Sequence, residues 1–226
     1  FGSLLLTGAN VAVTDAGAVD LGASTVSGTL GITSAGAVTD SGTLAITGAT
    51  TISASGQDIT LDESASTFGT LALTGENVAV TDAGATDLGA STVGGTLGIT
   101  SAGAVTDSGT LAVTGATTIS ASGQDITLDE SASTFGSLLL TGANVAVTDA
   151  GAVDLGASTV GGTLGITSAG AVTDSGTLAI TGATTISASG QDITLDESAS
   201  TFGTLALTGA NVAVTDAGAV DLGAST

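Results

Sequence analysis

The sequence predicts an all-β fold, a right-handed parallel β-helix (β-solenoid) with three rungs in every 67-residue repeat. Three observations lead there: a long fixed period, a period-two alternation of apolar residues inside it, and turn residues that cut the chain into short strands.

The period is set by the phrase FG(S/T)L(L/A)LTG, which opens at Phe1, Phe68, Phe135 and Phe202. The steps between these openings are equal, and self-similarity at a long fixed period marks a solenoid or array. The chain reads as one continuous array over 1–226, with repeats 1–67, 68–134 and 135–201 and a partial fourth over 202–226. The first and third copies differ only at Ser27 against Gly161. The second carries Thr70, Ala72, Glu76, Thr86, Gly94 and Val113 where the first has Ser3, Leu5, Ala9, Val19, Ser27 and Ile46. That alternation suggests a super-repeat of two units. Near-identity of the copies leaves no position unique enough to be a single active site.

Within a repeat, Leu4 and Leu6 flank Leu5, and Val11 and Val13 flank Ala12. Leu30 and Ile32, Leu44 and Ile46, and Ile59 and Leu61 follow the same rule. Alternation with β-branched residues predicts half-buried strands with these ten side chains inside. Leu5 and Ala9 face outward on this reading, since the second copy replaces them with Ala72 and Glu76. Val19 is predicted inside, and its replacement by Thr86 sits uneasily there. The strands are punctuated by TGAN, TDAG, SAGA, TDSG and ASGQD. In these turns Gly tolerates positive φ, and Asp, Asn and Ser bond their own backbone.

Nine strand candidates begin near Leu4, Val11, Val19, Thr25, Leu30, Val38, Leu44, Thr51 and Ile59. Grouped in threes they give rungs starting near Leu4, Thr25 and Leu44, the third markedly longer than the other two. That long third rung holds ASGQD and LDESASTF, which predicts a protruding corner. Crossovers between parallel strands of one sheet are right-handed in nearly all cases. Rung-on-rung stacking adds stability as neighbour terms, without a large aromatic core. The Phe residues are expected to plug the core or a corner.

Composition agrees. The 36 Gly and 42% hydrophobic residues come with no Pro, Cys, Met, Trp, Tyr, His, Lys or Arg. Such a chain is too apolar for disorder and too poor in aromatics for one large globular core. Its 21 Asp and Glu give a formal charge of −21. Nucleic-acid binding needs Lys or Arg to displace counterions, and anionic membrane surfaces repel such a chain. No apolar run reaches the ~18 residues of a membrane span, so membrane insertion is not expected.

The phrase VGGTLGITSAGAVTDSGTLAITGATTISASGQDITLDESASTFGTLALTGANVAVTDAGAVDLGAST resembles the repeat region of filamentous haemagglutinin-like exoproteins, large secreted bacterial β-helix adhesins. The resemblance covers the whole chain and implies a parallel β-helix located extracellularly or at the bacterial cell surface. It implies a part in adhesion, filaments or biofilm. Without Arg the chain carries no Arg-Gly-Asp motif, and without Lys it forms no Lys-based isopeptide crosslink.

Acidic residues recur in every copy, in the first as Asp15, Asp20, Asp40, Asp58, Asp62 and Glu63. Hard cations take several carboxylate and carbonyl oxygens, which makes Asp58, Asp62 and Glu63 the best candidate Ca²⁺ cluster. The ordinary explanation is turn formation and solubilising charge, and the Ca²⁺-binding nonapeptide GGxGxDxUx is missing. No cofactor is expected beyond that candidate. A catalytic nucleophile–base pair cannot be assembled without His, Lys or Cys, so no catalytic residue is assigned. Ice-binding solenoids repeat a TxT phrase on every rung, whereas TTIS occurs once per repeat.

The expected function is a structural stalk or fibre segment of a giant secreted repeat protein. Two alternatives are a ligand-binding adhesin module and, further off, a polysaccharide-acting β-helix enzyme. The first residues, FGSLLLTG, and the last, VDLGAST, read as ordinary rungs. The expected partner is therefore the chain itself, by covalent continuation or head-to-tail stacking, with a cell-surface or matrix partner left open.

Overall fold

A strand with alternating apolar and small polar residues needs a neighbour on both sides, and this chain supplies them by coiling on itself. The computed structural model describes residues 1–226, which form strands and turns with no helix. Two ladders of twelve successive strands run the length of the molecule, so the β-solenoid makes about twelve turns. Val11 lies against Leu30, Leu30 against Thr50, Thr50 against Leu71 and Leu71 against Leu88, always in parallel. In this column the turn from Leu71 to Leu88 is the tightest and the turn from Thr50 to Leu71 the widest. The long rung expected from Leu44 does not form, because Ala45 already pairs with Thr67 and the next rung begins there.

Within a repeat, from Val11 to Thr67, straight and kinked legs alternate. In the first repeat the straight legs are Val11–Asp15, Leu30–Ser34 and Thr50–Ser53. The kinked legs are Val19–Leu21 with Ser24–Val26, Val38–Asp40 with Leu44–Ile46, and Ile59–Leu61 with the bridge at Thr67. The kink gives the rung its three sides. It also turns backbone groups away from the rung below, and inward serines fill the gap. Ser24 Oγ accepts from Leu6 N at 2.9 Å and donates to Gly22 O at 2.7 Å. Ser66 Oγ accepts from Leu44 N at 2.9 Å. Buried backbone donors need such partners.

One more leg, Thr70–Gly75 in the second repeat, completes the unit. Seven legs at two per turn give the three rungs the sequence predicts, and half a turn beyond them. The half turn changes what stacks on what. The opening leg of the first repeat, Ser3–Leu4, lies in one ladder with Val19–Leu21. Thr70–Gly75 lies in the other ladder, on Thr50–Ser53, and Ser137–Gly142 returns to the first.

The inward set matches the alternation. Leu30, Ile32, Leu44, Ile46, Ile59 and Leu61 are buried. Leu4, Leu6, Val11 and Val13 point inward but are half-buried in the first rungs, while their copies Leu71, Leu73, Val78 and Val80 are buried. Leu5 faces out with 74% of its surface exposed. Phe68, Phe135 and Phe202 are buried plugs where one repeat hands over to the next. Thr86 is inward like Val19, and its hydroxyl lies 3.0 Å from Ser101 Oγ and 3.4 Å from Asp82 Oδ2. A polar neighbourhood one rung deep is what lets Thr replace Val there.

Rungs approach closely at the corners and at the kinks. A Cβ on Gly48 would sit 2.5 Å from Gly28 O, and one on Gly69 would sit 2.5 Å from Gly48 O. Only the ASGQD corner needs positive φ, at Gly56, Gly123 and Gly190.

Thr50, Thr117 and Thr184 are fully buried, and their hydroxyls have no hydrogen-bond partner. Leaving such a group unsatisfied costs about 1–3 kcal/mol. Thr50→Val keeps the shape and removes the hydroxyl, so it is expected to raise unfolding stability, measured by urea denaturation, by about 1 kcal/mol or more. A variant less stable than the parent would show that the hydroxyl is satisfied in solution.

Candidate functional site

The outward faces of the two leg types differ in chemistry. On the straight legs of the first repeat, two columns run up the rungs: Ala12, Gly31, Thr51 and Ala72, and beside them Thr14, Thr33, Ser53 and Thr74. Neither column holds a charge. The hydroxyls do line up on four successive rungs, which the spacing of TTIS does not suggest. The column beside them is mostly Ala and Gly, so a TxT pair on every rung is not formed.

The kinked legs and corners carry the acids. Asp20 points outward and accepts from Ser41 Oγ at 2.8 Å. Its copy Asp87 accepts from Thr70 Oγ1 at 2.7 Å and Ser108 Oγ at 2.9 Å, one rung on either side. These are axial bonds between rungs, the side-chain counterpart of the backbone ladder.

The three candidate Ca²⁺ residues occupy different places. Asp58 is exposed on the ASGQD corner. Its Oδ1 accepts from Asn77 Nδ2 at 2.9 Å and Asn77 N at 3.2 Å, and Asn77 Oδ1 accepts from Thr96 N and Oγ1 at 3.1 Å each. Asp62 and Glu63 lie beyond Leu61, at the kink, where the backbone N–H of Asp62 donates to Asp40 Oδ1 at 2.9 Å. Asp58, Asp62 and Glu63 do not form a group that could hold a metal ion, and no other three acidic side chains do.

A second set of acids points inward. Asp82 and Asp149 are 1% and 2% exposed, and Asp40, Asp107 and Asp174 are buried as well. Asp149 accepts from Gly151 N at 2.7 Å and from Phe135 N at 3.2 Å, which ties the DAG turn to the handover between repeats. In the first repeat Asp15 meets the Phe1 amine at 2.8 Å. Asp107 accepts from Asp129 N at 2.8 Å and Glu130 N at 3.4 Å. The turn phrases in the sequence place these aspartates in turns and at the surface. The signal was present in Val11-x-Val13-x-Asp15, where the aspartate is in phase with the inward residues.

Burial pushes the carboxyls of Asp40, Asp82, Asp107, Asp149 and Asp174 above the usual carboxylate range, against the opposing pull of the backbone N–H groups they accept from. Asp15, paired with the chain's amine, is held below it. No cleft gathers either set. The single hollow, about 450 Å³, is lined by Leu207, Val212, Val214, Val220, Leu222, Ser225 and Thr226, and is the apolar interior of the last rungs seen in section.

A raised folded-state pKa means the folded chain binds protons more readily than the unfolded one. The penalty on the folded state is full above the raised pKa and vanishes below the unfolded value near 3.8. Stability is therefore expected to increase as pH falls from 7 towards that value, the reverse of ordinary acid denaturation. Urea melts at pH 7, 5.5 and 4.5 measure this, and Asp82→Asn should flatten the slope. A steady loss of stability over that range would show that the buried aspartates do not govern it.

The family model described as "Repeats of unknown function (DUF5649)" matches three times, over residues 8–74, 75–141 and 142–209. Each match starts a few residues after a Phe-led boundary and covers one full set of seven legs. No curated protein and no solved structure matches the chain. With three tandem matches over most of its length, the chain belongs to the family of Repeats of unknown function (DUF5649).

Proposed function

We propose that the chain is a stalk or fibre segment of a large secreted repeat protein, working at the bacterial cell surface or in the extracellular matrix. The observation that carries this reading is unbroken parallel register across the repeat boundaries. Thr50–Ser53 passes to Thr70–Gly75, Ala116–Ser120 to Ser137–Gly142, and Thr184–Ser187 to Thr204–Thr208 without a gap. A continuous ladder resists bending and stretching, and its length grows in proportion to repeat number. Its exterior of small residues and carboxylates, with no cationic side chain, keeps rods apart and soluble. The resemblance to haemagglutinin-like exoproteins favours the same setting. On this reading the chain is not an enzyme, and its first partner is the neighbouring repeat or another copy stacked along the axis.

Twelve rungs at ~4.8 Å make a rod about 57 Å long. Electron microscopy and small-angle scattering of the purified chain are expected to show thin rods of that length or end-to-end multiples of it. Antibody against the repeats should label intact source cells or their surroundings. Compact globules, or labelling only after permeabilisation, would overturn the proposal.

Calcium ions act on this rod by screening its charge. Thermal midpoints in NaCl and CaCl₂ at matched ionic strength are expected to coincide. A large additional rise at micromolar Ca²⁺ would instead assign a specific site, with Asp58, Asp62 and Glu63 the first residues to replace.

A further inference from the structure

Because a repeat has seven legs and a turn has two, the operation relating one repeat to the next is a half-turn screw. We infer that the array is two-sided: whatever a repeat carries faces alternately to opposite edges of the rod, and gain or loss of one repeat reverses the facing of everything beyond it. Gains or losses of two preserve it.

The corners show the alternation. Along one edge the backbone stacks Gly36 on Gly17, then Glu76 on Gln57, Gly95 on Glu76 and Gly115 on Gly95. That edge therefore presents the DAG, SAG, ASGQD and GEN corners of successive turns in order. Along the other edge, Gly48 stacks on Gly28, Ala83 follows Ser66, and Gly103 stacks on Gly84. The protruding ASGQD corner of the first repeat, at Gly56, is on the first edge. That of the second, at Gly123, is on the opposite edge, between a straight leg and a kinked leg that have exchanged ladders. Gly190 returns to the first edge.

An independent observation comes from the substitutions. Copies one and three open Ser-Leu-Leu at Ser3 and Ser137, whereas copies two and four open Thr-Leu-Ala at Thr70 and Thr204. The outward residue of this leg is Leu5 or Leu139 in one ladder and Ala72 or Ala206 in the other. One side of the rod therefore shows Leu where the other shows Ala, and the two-repeat block, seven full turns, is the smallest unit that preserves this difference.

The inference rests on register alone, so it stands even if the stalk role fails its own test. The chain has no Cys, which allows clean spin labelling at the exposed Gln57, Gln124 and Gln191 after substitution to Cys. Gln57 and Gln191 lie seven rungs apart on one edge, about 34 Å at the sheet spacing. Gln57 and Gln124 are only about 17 Å apart along the axis but on opposite edges, so the width of a leg, roughly 20–25 Å, lengthens their separation to about 26–30 Å. The expected result for electron–electron distance measurement on Gln57→Cys/Gln124→Cys and Gln57→Cys/Gln191→Cys is a ratio of about 0.8. A ratio near one half would place all three corners on one edge and overturn the inference. Deleting residues 68–134 tests the reversal directly. In that variant the Gln57→Cys/Gln191→Cys distance should shorten to the cross-edge value of about 26–30 Å, and a drop to about 17 Å would overturn the inference. If the deletion variant does not fold, the ratio in the full chain decides.

Discussion

Everything in this molecule depends on the axial backbone ladder between rungs. Parallel pairing fixes each residue against one a single turn further along the chain, and that step determines which side chains stack. It makes the inward columns apolar and favours glycine where corners pack tightly, as at Gly48 and Gly69, whose Cβ would meet the carbonyl oxygen of the rung before. It also explains how a chain with four Phe as its only aromatics holds a core. Each inward Val, Leu and Ile is covered by the inward residues of the rungs above and below it, so no large side chain has to span the interior.

The kinked leg is the structural compromise that closes the coil. A two-legged turn of straight strands would be flat. The kink adds a third side, and its cost in lost backbone bonds is met by the buried serines Ser24, Ser66 and their copies. The same kink brings Asp40 inside to hold the amide of Asp62, and the DAG turn brings Asp82 and Asp149 inside at the handover. Asp82 and Asp149 accept from backbone donors, whereas Asp40 is held through Oδ1 alone and its buried Oδ2 has no partner; no cationic side chain is present to pair with any of them. Their burial is tolerable because each accepts charge-assisted hydrogen bonds, yet it pushes their carboxyls above the usual carboxylate range.

Seven is odd, and that single fact separates this array from solenoids whose repeat is a whole number of turns. Near-identical copies land on alternate sides, so an identical sequence does not present an identical surface in one direction. The Leu-to-Ala alternation between odd and even copies follows the same parity. A solenoid built this way has no single repeating face; each kind of corner comes round to both edges.

The sequence by itself determined the fold class, the 67-residue period, the inward residues from Leu30 through Leu61 and the three full rungs, because period-two alternation and turn residues are local signals. It also pointed to the two-unit super-repeat, through copy-to-copy differences. Only the tertiary structure decided the half turn, the placement of Asp82 and Asp149 inside, and the separation of Asp58 from Asp62 and Glu63. The reason is physical. Alternation says which face of a strand is buried, but the pairing partner is set by turn length around the whole coil. A kink that joins two short strands into one leg looks, along the chain, like any other turn.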